Sequence, residues 1–179
     1  MLRVYATRFT EAKLFEPDVF QDERGYFKET FSKGKYAELG LSDVFVQDNV
    51  SRSRRNVVRG MHYDLRVSKF VQCLVGEIYD VIVDAREESS TYLQWEGYSL
   101  SESNHRQLYV PKGFAHGFLA LSENVIVAYK QSEHYDAAHE RGLAWDDPAI
   151  GIEWPLAGEP IVSGKDRAWP HLKKPAPPT

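Results

Sequence analysis

The chain has 179 residues, of which 42% are hydrophobic and 13% aromatic, and its formal net charge is −4. This length suits one domain over residues 1–179 with a sizeable core. The acidic balance argues against binding to nucleic acid or to an anionic membrane surface. Cys73 is the only cysteine, which excludes an intramolecular disulfide, and no apolar run is long enough for a signal core or a membrane span. We therefore expect a cytoplasmic protein.

The first clear element along the chain is a short helix over residues 32–39. Ser32 is a typical N-cap residue, good helix formers follow it, and Gly40 is placed to end the helix. Before it, apolar residues alternate weakly near the N-terminus, at Leu2, Val4, Leu14 and Phe15. At the other end, the proline-rich tail from Pro170 is expected to be extended or disordered.

Most of the remaining chain has the pattern of short β-strands. Candidate strands are separated by Ser, Gly, Asn or Pro and cover residues 44–48, 57–62, 95–100, 107–110, 118–121 and 125–130. Residues 70–84 predict two further strands joined as a hairpin at Gly76-Glu77. Both faces of the second of these strands carry apolar residues, as expected of a strand inside a sandwich or barrel. The close spacing favours an all-β domain.

A Pro-x-Gly-x-x-His turn runs from Pro111 to His116. Proline and glycine shape such a turn, and cupin barrels use it to place a histidine at the barrel mouth. The partner cupin motif, with a His-x-His pair and a glutamate for a metal, is not intact, since only His62 stands in that region. We therefore expect a cupin-like chain that needs no metal and no other cofactor.

Eight segments, in order, resemble the dTDP-4-dehydrorhamnose 3,5-epimerase family. They include DERGYFKETF, VRGMHY and RQLYVPKGFAHGFLALSE, and they lie at residues 22–31, 45–51, 58–63, 76–86, 106–123, 129–135, 145–155 and 163–166. The resemblance implies a cupin jelly-roll barrel with a short N-terminal helix and a C-terminal extension. It also implies a homodimer that exchanges N-terminal strands, and inversion at C3 and C5 of a 4-keto-6-deoxyhexose carried on dTDP.

The resemblance further implies four catalytic residues. His62 matches the base, and an imidazole with an unperturbed pKa near 6.5 can accept a proton at neutral pH. Asp166 matches the carboxylate that orients this histidine. Tyr129 matches the proton donor, and Lys69 matches the lysine that steadies the enolate oxygen.

Ten positions match the family's substrate contacts. Arg24, Arg59 and Lys165 would bind the diphosphate or the sugar, because cationic side chains suit phosphate oxygens. Tyr135 would stack on the base, and His116 would assist binding. The remaining matches are polar contacts to the base and sugar at Glu29, Gln47, Asp48, Asn49 and Glu140.

One position departs from the family pattern. Asp64 stands where dTDP-sugar members have glutamine, and only six residues separate His62 from Lys69. This leaves open a GDP-sugar substrate and inversion at C3 alone. It also leaves open two other classes: a metal enzyme using His62, Asp64 and His116 as a two-His-one-carboxylate set, and a sugar-binding cupin without catalysis.

Overall fold

The computed structural model describes residues 2–172. Within that range the elements are β1 (Arg3–Tyr5), β2 (Lys13–Glu16), β3 (Val19–Asp22), β4 (Gly25–Lys28), α1 (Lys33–Glu38), β5 (Gln47–Ser53), β6 (Val57–Tyr63), β7 (Lys69–Val75), β8 (Glu77–Asp84), β9 (Trp95–Ser101), β10 (Gln107–Val110), β11 (Phe114–Ala120), β12 (Val125–Gln131), β13 (Arg141–Gly142), β14 (Ile161–Val162) and α2 (Gly164–Arg167).

The strands form two facing sheets. One has the order β1-β2-β10-β7-β12-β5, and the other has the order β13-β6-β11-β8-β9, with β14 added beside β6. All pairings within them are antiparallel except that of β14 with β6. Strands β3 and β4 pair only with each other. The fold is the predicted all-β cupin jelly roll, with α1 before the barrel and a C-terminal extension after it.

The main core lies between the two sheets and follows from strand alternation. Alternate side chains of a strand point to the same face, so Val71 and Cys73 on β7 face Ile78 and Ile82 on β8 across the sandwich. A second cluster around Met61 covers the outer face of the other sheet. A third, mainly aromatic, packs α1 against β2 and β7. The apolar clusters therefore fix both the sheet pairing and the position of the helix.

The predicted hairpin at Gly76-Glu77 is wrong, although both of its strands exist. Strand β7 belongs to the first sheet and β8 to the second, so the chain crosses between sheets at this turn. Gly76 has a φ of 75°, and a Cβ there would lie 2.4 Å from the carbonyl oxygen of Asn124. Glycine is needed for a tight corner here, which a local pattern cannot distinguish from a hairpin turn.

Most other predicted elements are confirmed with shifted ends. The helix spans Lys33–Glu38, and Gly40 follows it with a φ of 87°. The strand expected at residues 44–48 begins only at Gln47, and the one expected at 118–121 already begins at Phe114. The proline-rich end of the predicted tail lies outside the described residues. No helix within residues 2–172 is long and apolar enough to cross a membrane.

Candidate active site

A cavity of about 510 Å³ opens at one end of the space between the sheets. There the inward-facing positions change from apolar to polar along the same strands. On β12, Tyr129 follows Val127 on the inner face, and on β7, Lys69 precedes Val71 on the inner face. The alternation that builds the core therefore also places polar side chains in the cavity.

An irregularity in β6 directs two of its side chains into this cavity. His116 on β11 pairs with His62, yet Phe118, two residues further along β11, pairs with Arg59, so β6 has one extra residue. Gly60 lies within this bulge at a φ of 129°, and a Cβ there would be 2.5 Å from the backbone of β11. Such bulges re-aim side chains. As a result, both Arg59 and His62 line the cavity.

His62 and Asp166 are in direct contact. Nε2 of His62 lies 2.6 Å from Oδ1 of Asp166, and the aspartate is only 4% exposed. Burial alone would raise the pKa of Asp166, but the hydrogen bond and charge of His62, with the Gly60 N–H, hold that pKa below its ordinary value. When Nε2 carries the proton that Asp166 accepts, the lone pair of the neutral ring is on Nδ1.

This aspartate lies on helix α2. Ser163 is its N-cap residue, and the Ser163 hydroxyl accepts a hydrogen bond from the Asp166 backbone N–H at 3.0 Å. Strand β14, just before α2, pairs with β6 at Val57 and Val58. The C-terminal extension is thus fixed to the same strand that carries His62.

The other nitrogen of His62 faces a charged group. Nδ1 lies 3.9 Å from Oε1 of Glu140. The second oxygen of Glu140 accepts a hydrogen bond from the Tyr135 hydroxyl at 2.8 Å and pairs with the Lys165 ammonium. Burial would raise the pKa of Glu140, but these two partners and His62 hold it below its ordinary value. Glu140 is therefore a carboxylate at neutral pH, balanced by Lys165.

Lys69 and Tyr129 are the other ionisable groups of the cavity. Lys69 donates a hydrogen bond to the backbone carbonyl of His62 at 3.2 Å. Burial lowers the pKa of Lys69 to about 8, against the opposing effect of nearby carboxylates such as Glu140. Burial also raises the pKa of Tyr129, and the charge of Arg59 partly offsets that rise. The cavity thus combines an imidazole–carboxylate pair, a protonated phenol and an ammonium group that titrates near pH 8.

His116 is held by a residue that the sequence analysis did not assign to the site. Nε2 of His116 lies 2.7 Å from Oδ1 of Asp80, which is fully buried. Asp80 alternates with Ile78 and Ile82 on the inner face of β8. A carboxylate on such an apolar face needs a partner, and that was the signal in the sequence. Ser163 was also missed, although a serine three residues before Asp166 is a capping pattern.

Several predicted binding residues form one polar surface beside the cavity. Gln47 accepts a hydrogen bond from the Tyr135 backbone N–H at 2.9 Å and donates one to Asn49 at 2.9 Å. Asn49 in turn donates to Gln131. The Tyr135 ring is 56% exposed, with the Lys165 ammonium 5.9 Å from its centre. The structure therefore brings Gln47, Asn49 and Tyr135 together with Glu140 and Lys165.

Within residues 2–172, three predicted site residues lie neither at the cavity nor on the polar surface beside it. Asp48 points to the opposite face of β5 from its two neighbours and pairs with Lys130 at 2.9 Å. Arg24 lies on the β3–β4 hairpin, where it pairs with Asp22, and Glu29 pairs with Lys35.

Asp64, the residue that departs from the family pattern, forms a salt bridge with Arg66. Its two carboxylate oxygens accept hydrogen bonds from Arg66 at 3.0 and 2.7 Å, which holds the pKa of Asp64 below its ordinary value. Across residues 2–172, no three His, Cys, Asp or Glu side chains lie together in a geometry that could hold a metal ion. The alternative set of His62, Asp64 and His116 finds no support in this arrangement.

Known proteins are similar to this chain in sequence. The family model described as dTDP-4-dehydrorhamnose 3,5-epimerase matches residues 6–174. A dTDP-4-dehydrorhamnose 3,5-epimerase from Methanothermobacter thermautotrophicus is 48% identical, with 96% of this chain and 95% of the relative covered. These matches span nearly the whole chain.

Two solved structures are similar in fold as well as in sequence. A dTDP-4-dehydrorhamnose 3,5-epimerase from Bacillus anthracis with TDP and PPi bound has a TM-score of 0.92 at 48% identity, covering 96% of this chain and 100% of that one. A dTDP-6-deoxy-D-glucose-3,5-epimerase from Legionella pneumophila, in complex with dTDP-4-keto-L-rhamnose, has a TM-score of 0.92 at 44% identity, covering 94% and 92%. By sequence and by fold, the chain belongs to the dTDP-4-dehydrorhamnose 3,5-epimerase family of isomerases.

Proposed function

We propose that this enzyme inverts C3 and C5 of dTDP-4-dehydro-6-deoxy-D-glucose to give dTDP-4-dehydro-L-rhamnose. The observation that carries the proposal is the 2.6 Å pair of His62 and Asp166, at a cavity that Lys69 and Tyr129 also line. The names of the relatives and their bound dTDP-sugar or TDP support the same substrate class. We also infer a cytoplasmic enzyme, in keeping with a single free, buried cysteine.

The chemistry requires a base, an acid and a group that stabilises the enolate. His62 takes the proton from the carbon beside the ketone, and Asp166 stabilises the imidazolium that forms. The Lys69 ammonium stabilises the enolate oxygen. Tyr129 returns a proton to the opposite face, so that the configuration inverts while the atoms of the sugar stay the same. Solvent then accepts the extra proton from His62 and returns a proton to Tyr129.

The remaining polar groups bind the substrate. Arg59 and Lys165 carry positive charge on the cavity wall and suit the two phosphates. His116, fixed by Asp80, offers a ring nitrogen inside the cavity. The exposed Tyr135 ring offers a face on which the nucleotide base can stack.

The state of Asp64 supports dTDP rather than GDP as the carrier. A free carboxylate could repel the diphosphate or accept hydrogen bonds from a guanine base. Arg66 engages both Asp64 oxygens and neutralises the charge. Asp64 therefore neither repels the diphosphate strongly nor accepts strong hydrogen bonds from a guanine base.

Isotope incorporation tests the proposed reaction. In D₂O with dTDP-4-keto-6-deoxyglucose, we expect one deuterium at C3 and one at C5, because each inversion replaces a carbon-bound proton with one from solvent. His62→Asn should slow the exchange by at least about 10²-fold. Tyr129→Phe should keep some exchange but yield little epimerised product, while Tyr92→Phe, in an exposed loop, should match the wild type. Mass spectrometry and NMR of the sugar report both quantities.

Other outcomes of the labelling would contradict parts of the proposal. Label at C3 alone would show a 3-epimerase. Faster labelling of GDP-4-keto-6-deoxymannose would show that the carrier is GDP. No label with either sugar, in folded protein, would overturn the function and favour a non-catalytic sugar binder.

The pH dependence of kcat tests the role of Lys69. The pKa of this lysine is lowered from 10.5 to about 8, so its charged form is present below that value and is lost as pH rises through it. We therefore expect kcat to fall above about pH 8 in the wild type. Lys69→Met should have a low kcat at every pH and no such fall, because it has no charge to lose. If kcat of Lys69→Met falls above about pH 8 as it does in the wild type, the decrease is caused by the titration of another group.

We further propose that the enzyme works as a homodimer in which the β3–β4 hairpin reaches the partner's cavity. The hairpin pairs with no other strand of the described chain and exposes three aromatic side chains, Phe20 at 63%, Tyr26 at 50% and Phe27 at 70%. Large exposed aromatic patches are typical of protein interfaces. Arg24, on the same hairpin, lies away from its own chain's cavity. In the dimer it would bind substrate in the partner's site.

Mixed dimers test this arrangement. When Arg24→Ala and His62→Asn chains are co-expressed with different tags, the isolated heterodimer has one intact site only if Arg24 acts across the interface. We expect activity close to half that of the wild-type dimer, whereas each parent homodimer is impaired at both sites. A heterodimer no more active than its parents, or a monomer in solution, would contradict the proposal.

A further inference from the structure

A tryptophan outside the cavity lies against the His62 ring. The ring centroids of Trp169 and His62 are 6.4 Å apart, with their planes at 63°. This lies within the range of edge-to-face aromatic pairs. Resting on the proposed role of His62 as the base, we propose that Trp169 is a positioning residue that holds the His62 ring in its reactive orientation.

The Asp166 contact alone does not fix the ring. A single hydrogen bond at Nε2 leaves the imidazole free to tilt and to rotate about the line that joins the two residues. A second contact on the ring removes that freedom. Trp169 follows Asp166 by three residues, so one short segment brings both the carboxylate and the indole to His62.

Gly142 provides the space that Trp169 occupies. It lies on β13, directly opposite His62 in the β6–β13 ladder. A Cβ on Gly142 would lie 2.1 Å from Cε2 of the Trp169 indole, and its nearest neighbours are all atoms of that ring. Its φ is outside the left-handed region that favours glycine. The glycine is therefore required here by the indole and not by the backbone.

The indole is held by packing rather than by a hydrogen bond. Nε1 of Trp169 is buried and has no hydrogen-bond partner within the described residues. Replacement by phenylalanine would therefore lose no hydrogen bond and would keep an aromatic ring over Gly142. Replacement by alanine would leave the side of His62 open.

Contacts further along the chain anchor this segment. Nε2 of His171 lies 3.0 Å from Oδ1 of Asp146, and the Leu172 backbone N–H donates to Asp147 at 2.5 Å. Both aspartates lie in the loop that follows β13. The segment after Trp169 is thus tied to the loop that follows Gly142. These ties limit the movement of the indole beside His62.

The test combines kinetics with a direct probe of the His62 environment. Trp169→Ala should lower kcat roughly 10–100-fold, the range reached when a reacting group is misplaced by about 1 Å, with KM little changed. Trp169→Phe should recover most of kcat, and Gly142→Ala should resemble Trp169→Ala because it displaces the indole. The matched control is Trp154→Phe, since Trp154 packs against Tyr79 and donates to the Trp145 carbonyl.

NMR of the His62 ring protons gives a readout that needs no turnover. These resonances are identified by their loss in His62→Asn. Removal of a neighbouring aromatic ring should move them in Trp169→Ala and leave them unmoved in Trp154→Phe. If Trp169→Ala unfolds, the Trp169→Phe and Gly142→Ala spectra test the same contact.

Unmoved His62 resonances with wild-type kcat in Trp169→Ala would overturn the proposal. So would a Trp154→Phe enzyme as impaired as Trp169→Ala, because both losses would then reflect stability alone. If the wild type fails to react with any nucleotide sugar, the proposed function fails. The NMR arm would still show whether Trp169 orients His62.

Discussion

The buried contact between His62 and Asp166 is the interaction on which the rest of the site depends. A carboxylate removed from water is costly unless it is paired and hydrogen-bonded. Asp166 meets this requirement with Nε2 of His62 and the Gly60 backbone N–H, which donates to its other oxygen at 3.3 Å. Both partners belong to β6. The C-terminal extension must therefore fold back onto the strand that carries the proposed base.

Three local features make that contact possible. The bulge in β6 turns His62 inward, the Ser163 cap begins α2, and the pairing of β14 with β6 sets the position of the helix. All three belong to β6 or to the segment that pairs with it. The sandwich supplies a frame, and these local features orient the proposed reacting groups.

The ionisable groups of the cavity differ because their surroundings differ. Glu140 and Asp166 have cationic or hydrogen-bonding partners and remain charged, whereas the surrounding protein shields the partly buried Lys69 from water, so it loses its proton far more readily than a surface lysine. Tyr129 is partly buried too and keeps its proton. One cavity can thus hold a base and an acid at the same pH.

Local patterns in the sequence predicted much of the fold but not its pairing. The helix was predictable because its boundary signals are local: Ser32 is the N-cap residue, although its side chain makes no capping hydrogen bond, and Gly40 follows the helix at a φ of 87°. The corner at Gly76 was mistaken for a hairpin because sheet membership depends on partners distant in sequence. The family resemblance placed His62 and Asp166 at the site. It did not indicate Trp169, whose place beside His62 is open only because Gly142 has no side chain.

The most direct measurement of the central claim is the rate of sugar-proton exchange with D₂O in Asp166→Asn, with His62 intact. An amide has nearly the same shape as the carboxylate but cannot stabilise an imidazolium by charge. The account predicts a loss on the order of 10²–10⁴-fold in protein whose melting curve shows it to be folded. Exchange at the wild-type rate in that variant would contradict it.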